Sequence, residues 1–168
     1  MKKVTQSIKS LAMLMAVSVF TLAGCSNHSE QTENAMAEGT ETKKMSNMEI
    51  VRTALTEAFI NGDLSAIDKY WAEDYIQHNP MVGNGREALK QFFSSMAGKI
   101  KYEMGMMAEN GEFVMVHGRF TGFGPKPLIA VDIVRVKDGK LVEHWDVLQE
   151  EVPADSTASK NPMFSPNL

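Results

Sequence analysis

Three short stretches of the chain carry side chains able to move protons. "AVDIVRVKDGKLVEHWDVLQ", Ala130 to Gln149, has the pattern of a β-hairpin, yet it sets Asp132, Glu143, His144, Trp145 and Asp146 among its apolar residues. "DYIQHNP", Asp74 to Pro80, adds Tyr75 and His78, and "FVMVHGRF", Phe113 to Phe120, adds Met115 and His117. A carboxylate between Val131 and Ile133 is costly to bury unless it is paired or its pKa rises. A raised pKa is what a general acid or base needs near neutral pH. Histidine titrates close to neutrality and can trade protons with such a group across a pocket. The chemistry these residue types permit best is removal of a proton next to a carbonyl, with a nearby donor holding the enolate. Asp132 is the expected acid/base and His117 its expected assistant. Trp145, His78, Tyr75, Met115, Glu143 and His144 are the expected lining of the pocket.

The company Asp132 keeps depends on strand register. A two-residue turn at Asp138-Gly139 pairs Lys137 with Lys140 and so Asp132 with Trp145, with Glu143 on the same face. A three-residue loop ending in a bulge at Gly139 instead sets Asp132 against His144, with Asp146 diagonal. A slip of one residue moves every side chain to the other face. The first register is the expected one, because it buries Val134, Val136 and Leu141 with Trp145 and leaves His144 and Asp146 outside with Arg135.

Other chemistries lack their signatures. The histidines are scattered, with no pair at helical metal-ligand spacing, so no metal is expected. "GFGPKP" follows a strand but opens no helix, which argues against a phosphate-binding loop, and no serine nucleophile elbow is visible. No cofactor is expected. Met104, Met106, Met107 and Met115 crowd one hairpin, either as core filling or as a lining that adapts to irregular apolar ligands.

The elements that must hold these residues follow from periodicity. Ser46-x-x-Glu49 is a capping-box pattern, and Val51, Leu55, Ala58 and Phe59 behind it share one helical face. Asn61-Gly62 stops that helix; Asp63 caps a second, with Leu64, Ile67 and Trp71 as its stripe. "REALKQFFSSMAG" reads as a third helix. The period then changes to two, and Asn110-Gly111 and Asp138-Gly139 each mark a hairpin. Helices followed by a meander of long strands predict an α+β fold, with the helices on one face of an antiparallel sheet and a cavity at its open end.

The ends of the chain read differently. Residues 1–24 have a basic start, an apolar core too short for a span of roughly 20 residues, and Leu22-Ala23-Gly24 before Cys25. This looks like a lipoprotein signal peptide, with lipid expected on Cys25, membrane attachment through it, and a cell-envelope location (the outer membrane in a Gram-negative cell). Residues 25–45 read as a flexible tether and 153–168 as a disordered tail, with Met163 and Phe164 able to dock. The folded domain is expected over 46–152. Cleavage before Cys25 leaves 14 basic residues against 21 acidic, a net charge of about −7, which disfavours nucleic acid as a partner.

The "YIQHNP" segment and above all "VDIVRVKDGKLVEHWDV" resemble the SnoaL-like polyketide cyclase family, within the nuclear transport factor 2-like superfamily, over about Met48 to Gln149. The resemblance implies a cone-shaped α+β domain with three helices packed on a curved sheet around a pocket. It also implies an aldol-type acid/base site with an aspartate at the position of Asp132. The expected function is cofactor-independent acid/base catalysis on a small apolar carbonyl compound, or else non-catalytic binding of a small apolar ligand, in a homodimer joined through the outer sheet face.

Overall fold

The computed structural model describes residues 44–166. The leader, Cys25 and most of the tether lie outside them. Helix α1 spans Asn47–Leu55. Both halves of the capping box form: the Ser46 hydroxyl accepts from the Glu49 amide at 3.1 Å, and the Glu49 carboxylate accepts from the Ser46 amide at 2.7 Å. The buried Val51, Ala54 and Leu55 recur at three- and four-residue spacing, which gives the helix its core face. The helix loosens into a π-helical turn over Thr56–Ile60, and Asp63 then bonds both the amide and the hydroxyl of Ser65 ahead of α2, Ala66–Tyr70.

Trp71 is not the last residue of that helical stripe, as the sequence suggested, but the first of strand β1, Trp71–Gln77. Trp71 takes extended backbone and opens β1, whose backbone groups are satisfied by a neighbouring strand. Helix α3 spans Arg86–Ser95. Strands β2, Lys101–Asn110, β3, Phe113–Thr121, β4, Leu128–Lys137, and β5, Lys140–Glu150, complete a five-stranded sheet of order β1-β5-β4-β3-β2. All neighbours are antiparallel except β1, which lies parallel to β5. The sheet is curved and open, and the α+β expectation holds.

Two hairpin details differ from the sequence reading. Asn110 pairs with Phe113, so the first turn is Gly111-Glu112, with Gly111 at φ 60°. The second turn is the expected two-residue one: Lys137 pairs with Lys140, and Asp138 and Gly139 both take positive φ. But β5 then bulges at Val142: Val136 pairs with Leu141, while Arg135 already pairs with Glu143. The extra residue resets the alternation, so Leu141, His144 and Asp146 all face inward.

The inner face carries Val114, Val116, Val134, Val136 and Leu141, buried against Val51, Leu55, Ile67 and Leu89 from the helices. The segment after Val152, expected to be disordered, packs back onto the outer face. Phe164 is buried there beside the His117 ring, and the Met163 sulfur accepts from the Val152 amide. Gly105 makes the seat: a Cβ on it would lie 2.9 Å from the Ser165 carbonyl oxygen and 3.0 Å from the Phe164 ring.

Candidate active site

Between the helices and the inner sheet face lies a cavity of about 260 Å³. Its walls are mostly apolar, with Leu55, Phe59, Phe93, Phe120 and Val134 among them. Its volume falls a little below the roughly 300–1,000 Å³ of sites for drug-sized ligands, which suits a compact molecule. The polar groups converge on one patch of floor where β5, β4 and β2 present Asp132, His144, Asp146 and Tyr102, and the end of β1 adds Tyr75, Gln77 and Asn79.

Asp132 is the one buried charged residue among those described, 7% exposed. It is paired, as the cost of burying a lone carboxylate demands. Its Oδ2 accepts from the Tyr102 hydroxyl at 3.2 Å, and its Oδ1 meets His144 Nε2 at 3.2 Å. The far side of the His144 ring is held too: Nδ1 lies 2.7 Å from Gln77 Oε1. Asp146, cross-strand partner of Asp132, accepts from the Asn79 side-chain amide at 2.6 Å. Tyr102 reaches Asp132 by passing over Gly118 of β3, where a Cβ would sit 2.6 Å from its ring. Burial, and then the charge of Asp132, push the Tyr102 hydroxyl well above the usual phenol range, so it stays a donor. Burial likewise raises Tyr75, which lines the cavity, against a smaller lowering by its bond with the Trp71 side chain.

The donor atoms of Asp132, His144 and Asp146 lie within 4.8 Å of one another, which is close enough for a divalent cation. Yet Tyr102, Gln77 and Asn79 already satisfy the group with hydrogen bonds, and no buried side-chain N or O atom among the described residues lacks a partner.

Of the residues singled out from sequence, Asp132, Tyr75 and His144 line the cavity, and so does Asp146, which was expected outside. The others lie elsewhere. Val116 pairs with Asp132, so alternation sends its neighbours His117 and Met115 to the outer face, and His117 cannot assist Asp132. The Val142 bulge turns Glu143 and Trp145 outward, against the expected register; His144 and Asp146 face inward, as in the alternative, but the pairing is that of neither reading, since Asp132 lies opposite Asp146 and His144 is diagonal to it. His78 also points outward. It stacks on Trp145, with ring centroids 4.6 Å apart and planes 5° from parallel, and bonds Glu143 Oε1 at 3.0 Å. Glu143 gives its other oxygen to Arg135 at 2.6 Å. The His78 bond first, and then Arg135, hold its carboxyl below the usual range.

Gln77, Asn79 and the role of Tyr102 were not anticipated. The signal for the first two was present: with Tyr75 inward, a period of two puts Gln77 and Asn79 inward as well and His78 outward.

Comparison with known proteins agrees with this architecture. A family model described as a SnoaL-like domain matches residues 51–144. No curated protein sequence matches the chain. Among solved structures, a nuclear transport factor 2-like protein of unknown function from Cytophaga hutchinsonii is 19% identical, with a TM-score of 0.57 over 64% of this chain and 94% of that one. A candidate polyketide cyclase from Bacillus cereus is 26% identical, with a TM-score of 0.51 over 61% of this chain and 74% of that one. A candidate ketosteroid isomerase from Kribbella flavida is 19% identical, with a TM-score of 0.55 over 62% and 78%.

Proposed function

The chain belongs to the SnoaL-like domain family, and from that membership and the geometry of its cavity we propose that it is a cofactor-independent acid/base enzyme acting on a small, largely apolar carbonyl compound, of the aldol-type cyclase or isomerase kind. One observation carries the reading: Asp132 sits on the floor of an apolar cavity, in contact with both an imidazole and a phenol. In this scheme Asp132 takes the proton next to the substrate carbonyl. His144 shares that proton across the 3.2 Å contact. Tyr102 keeps its own proton and stabilises Asp132 in the charged form, while Tyr75 is the neutral donor available to the developing enolate oxygen. Low-dielectric walls strengthen each of these interactions.

The test needs no knowledge of the natural substrate. A panel of small cyclic and aryl ketones is incubated in D2O, and exchange of their α-protons is followed by NMR. The wild-type protein is expected to accelerate exchange for the members that bind, and Asp132→Asn to lower that rate by about 10²–10⁴, the usual share of general acid–base catalysis. Ketones that bind in the cavity without faster exchange would overturn catalysis and leave a binding protein.

We also propose that the chain is held to the cell envelope by lipid on Cys25, on the strength of the Leu22-Ala23-Gly24-Cys25 pattern, and that it dimerises through the outer sheet face. There Val131 and Val147, paired across β4 and β5, are 42% and 70% exposed.

A further inference from the structure

Gln77 belongs to no expected site, yet it touches His144, which in turn meets Asp132. Strand β1 runs parallel to β5, with Gln77 in register with His144 and the His78 amide bonded to the His144 carbonyl at 3.0 Å. That pairing fixes where the Gln77 side chain ends. Its Oε1 accepts from the Asn79 backbone amide at 3.0 Å and faces His144 Nδ1 at 2.7 Å. The Asn79 contact settles which end of the amide is which. Were the group flipped, an NH2 would meet the Asn79 N–H and orphan a donor. The oxygen therefore faces the ring, and Nδ1 must carry a hydrogen to meet it.

The other ring nitrogen faces a second acceptor, the Asp132 carboxylate, at 3.2 Å. A neutral imidazole has one N–H and cannot serve both. With that hydrogen committed to Gln77, the Asp132–His144 contact is satisfied only by one further proton, on Nε2 or on the carboxyl. We propose that Gln77 is a positioning residue: by holding a proton on His144 Nδ1, it leaves the Asp132–His144 contact to carry the exchangeable proton. Without Gln77 the neutral ring would turn its single N–H to the carboxylate, the stronger, charge-assisted acceptor. No proton would then be left to share. This rests on the acid/base reading for its catalytic meaning, but not for its test.

The experiment is imidazole ¹⁵N NMR on the folded chain, with the His144 signals assigned by loss in a His144→Gln variant, and α-proton exchange on ketones measured alongside. When the ring gives up its second proton, the wild type is expected to keep the one on Nδ1 and leave Nε2 bare. Gln77→Leu is expected to switch to the Nε2–H form and slow exchange about tenfold or more, a share of the roughly 10²–10⁴ that general acid–base catalysis supplies. Gln77→Glu, which still offers an oxygen, should retain the wild-type form. Asn84→Ala is the control for a loosened loop: it removes the 2.9 Å bond to the Gln77 amide but leaves the side-chain acceptor in place, and it should also retain the form. An Nε2–H ring in the wild type, or the same form in wild type and Gln77→Leu, overturns the proposal. A tautomer that switches as expected in a protein with no exchange activity upholds Gln77 as the holder of Nδ1 and sinks the catalytic reading instead.

Discussion

Asp132 is tolerable in its strand because neighbouring polar groups compensate for the water that burial removes. Tyr102 gives it one hydrogen bond and His144 a second contact, and the second carboxylate, Asp146, is kept in check by Asn79. Without these partners, a buried ionised carboxylate would cost several kcal/mol. The tyrosines offer a direct check at this scale. Burial raises both Tyr75 and Tyr102 far enough that neither ionises in the ordinary range. The chain has three tyrosines, so a Tyr70→Phe variant reports on these two alone. Its absorbance near 295 nm is expected to stay flat to about pH 11 in the folded state, against about pH 10 for a free phenol. A rise at the free value would mean that the cavity floor is wet.

At the scale of elements, the sheet positions the site through departures from regularity. The bulge at Val142 lets Leu141 fill the core while His144 and Asp146, three and five residues on, reach the cavity. Gly118 lets β3 make room for Tyr102 from β2. Gly118→Ala is therefore expected to press on a ring 2.6 Å away and lift the Tyr102 hydroxyl from Asp132. The expected cost is about 1–3 kcal/mol of stability, the usual range for overpacking, read from urea unfolding. Ketone exchange should fall with it. The outer face uses the same device for a different purpose, since Gly105 leaves space for Phe164 and so anchors the C-terminal segment. Much of this level was readable. The capping box, the Asp138-Gly139 turn and the change of period all led to the observed elements. The Val142 bulge was not readable, because a bulge of this kind needs no glycine to mark it.

For the whole molecule, the proposed placement in the envelope and the proposed dimer are separable. Cys25→Ser is expected to move the protein from the membrane fraction to the soluble one, measured by fractionation and immunoblot; retention in the membrane would remove the lipid anchor. For the dimer, Val147→Glu places a charge at the most exposed apolar position of the outer face. Light scattering after size exclusion of a chain starting at residue 44 is expected to give twice the monomer mass, and the variant the monomer mass. Equal masses would mean that this face stays free.

The sequence alone determined the α+β class, the three helices, the two hairpins and the carboxylate at the centre, because periodicity, caps and turn chemistry are local properties and a lone aspartate in an apolar strand shows itself; strand β1 was not among them. Only the tertiary structure decided which histidine meets Asp132. That choice hung on one extra residue in β5 and on the parallel pairing of β1 with β5, which bring together Gln77 and His144, 67 positions apart. Such contacts are set by how strands pair across the sheet, and pairing between distant segments leaves no periodic trace in either of them.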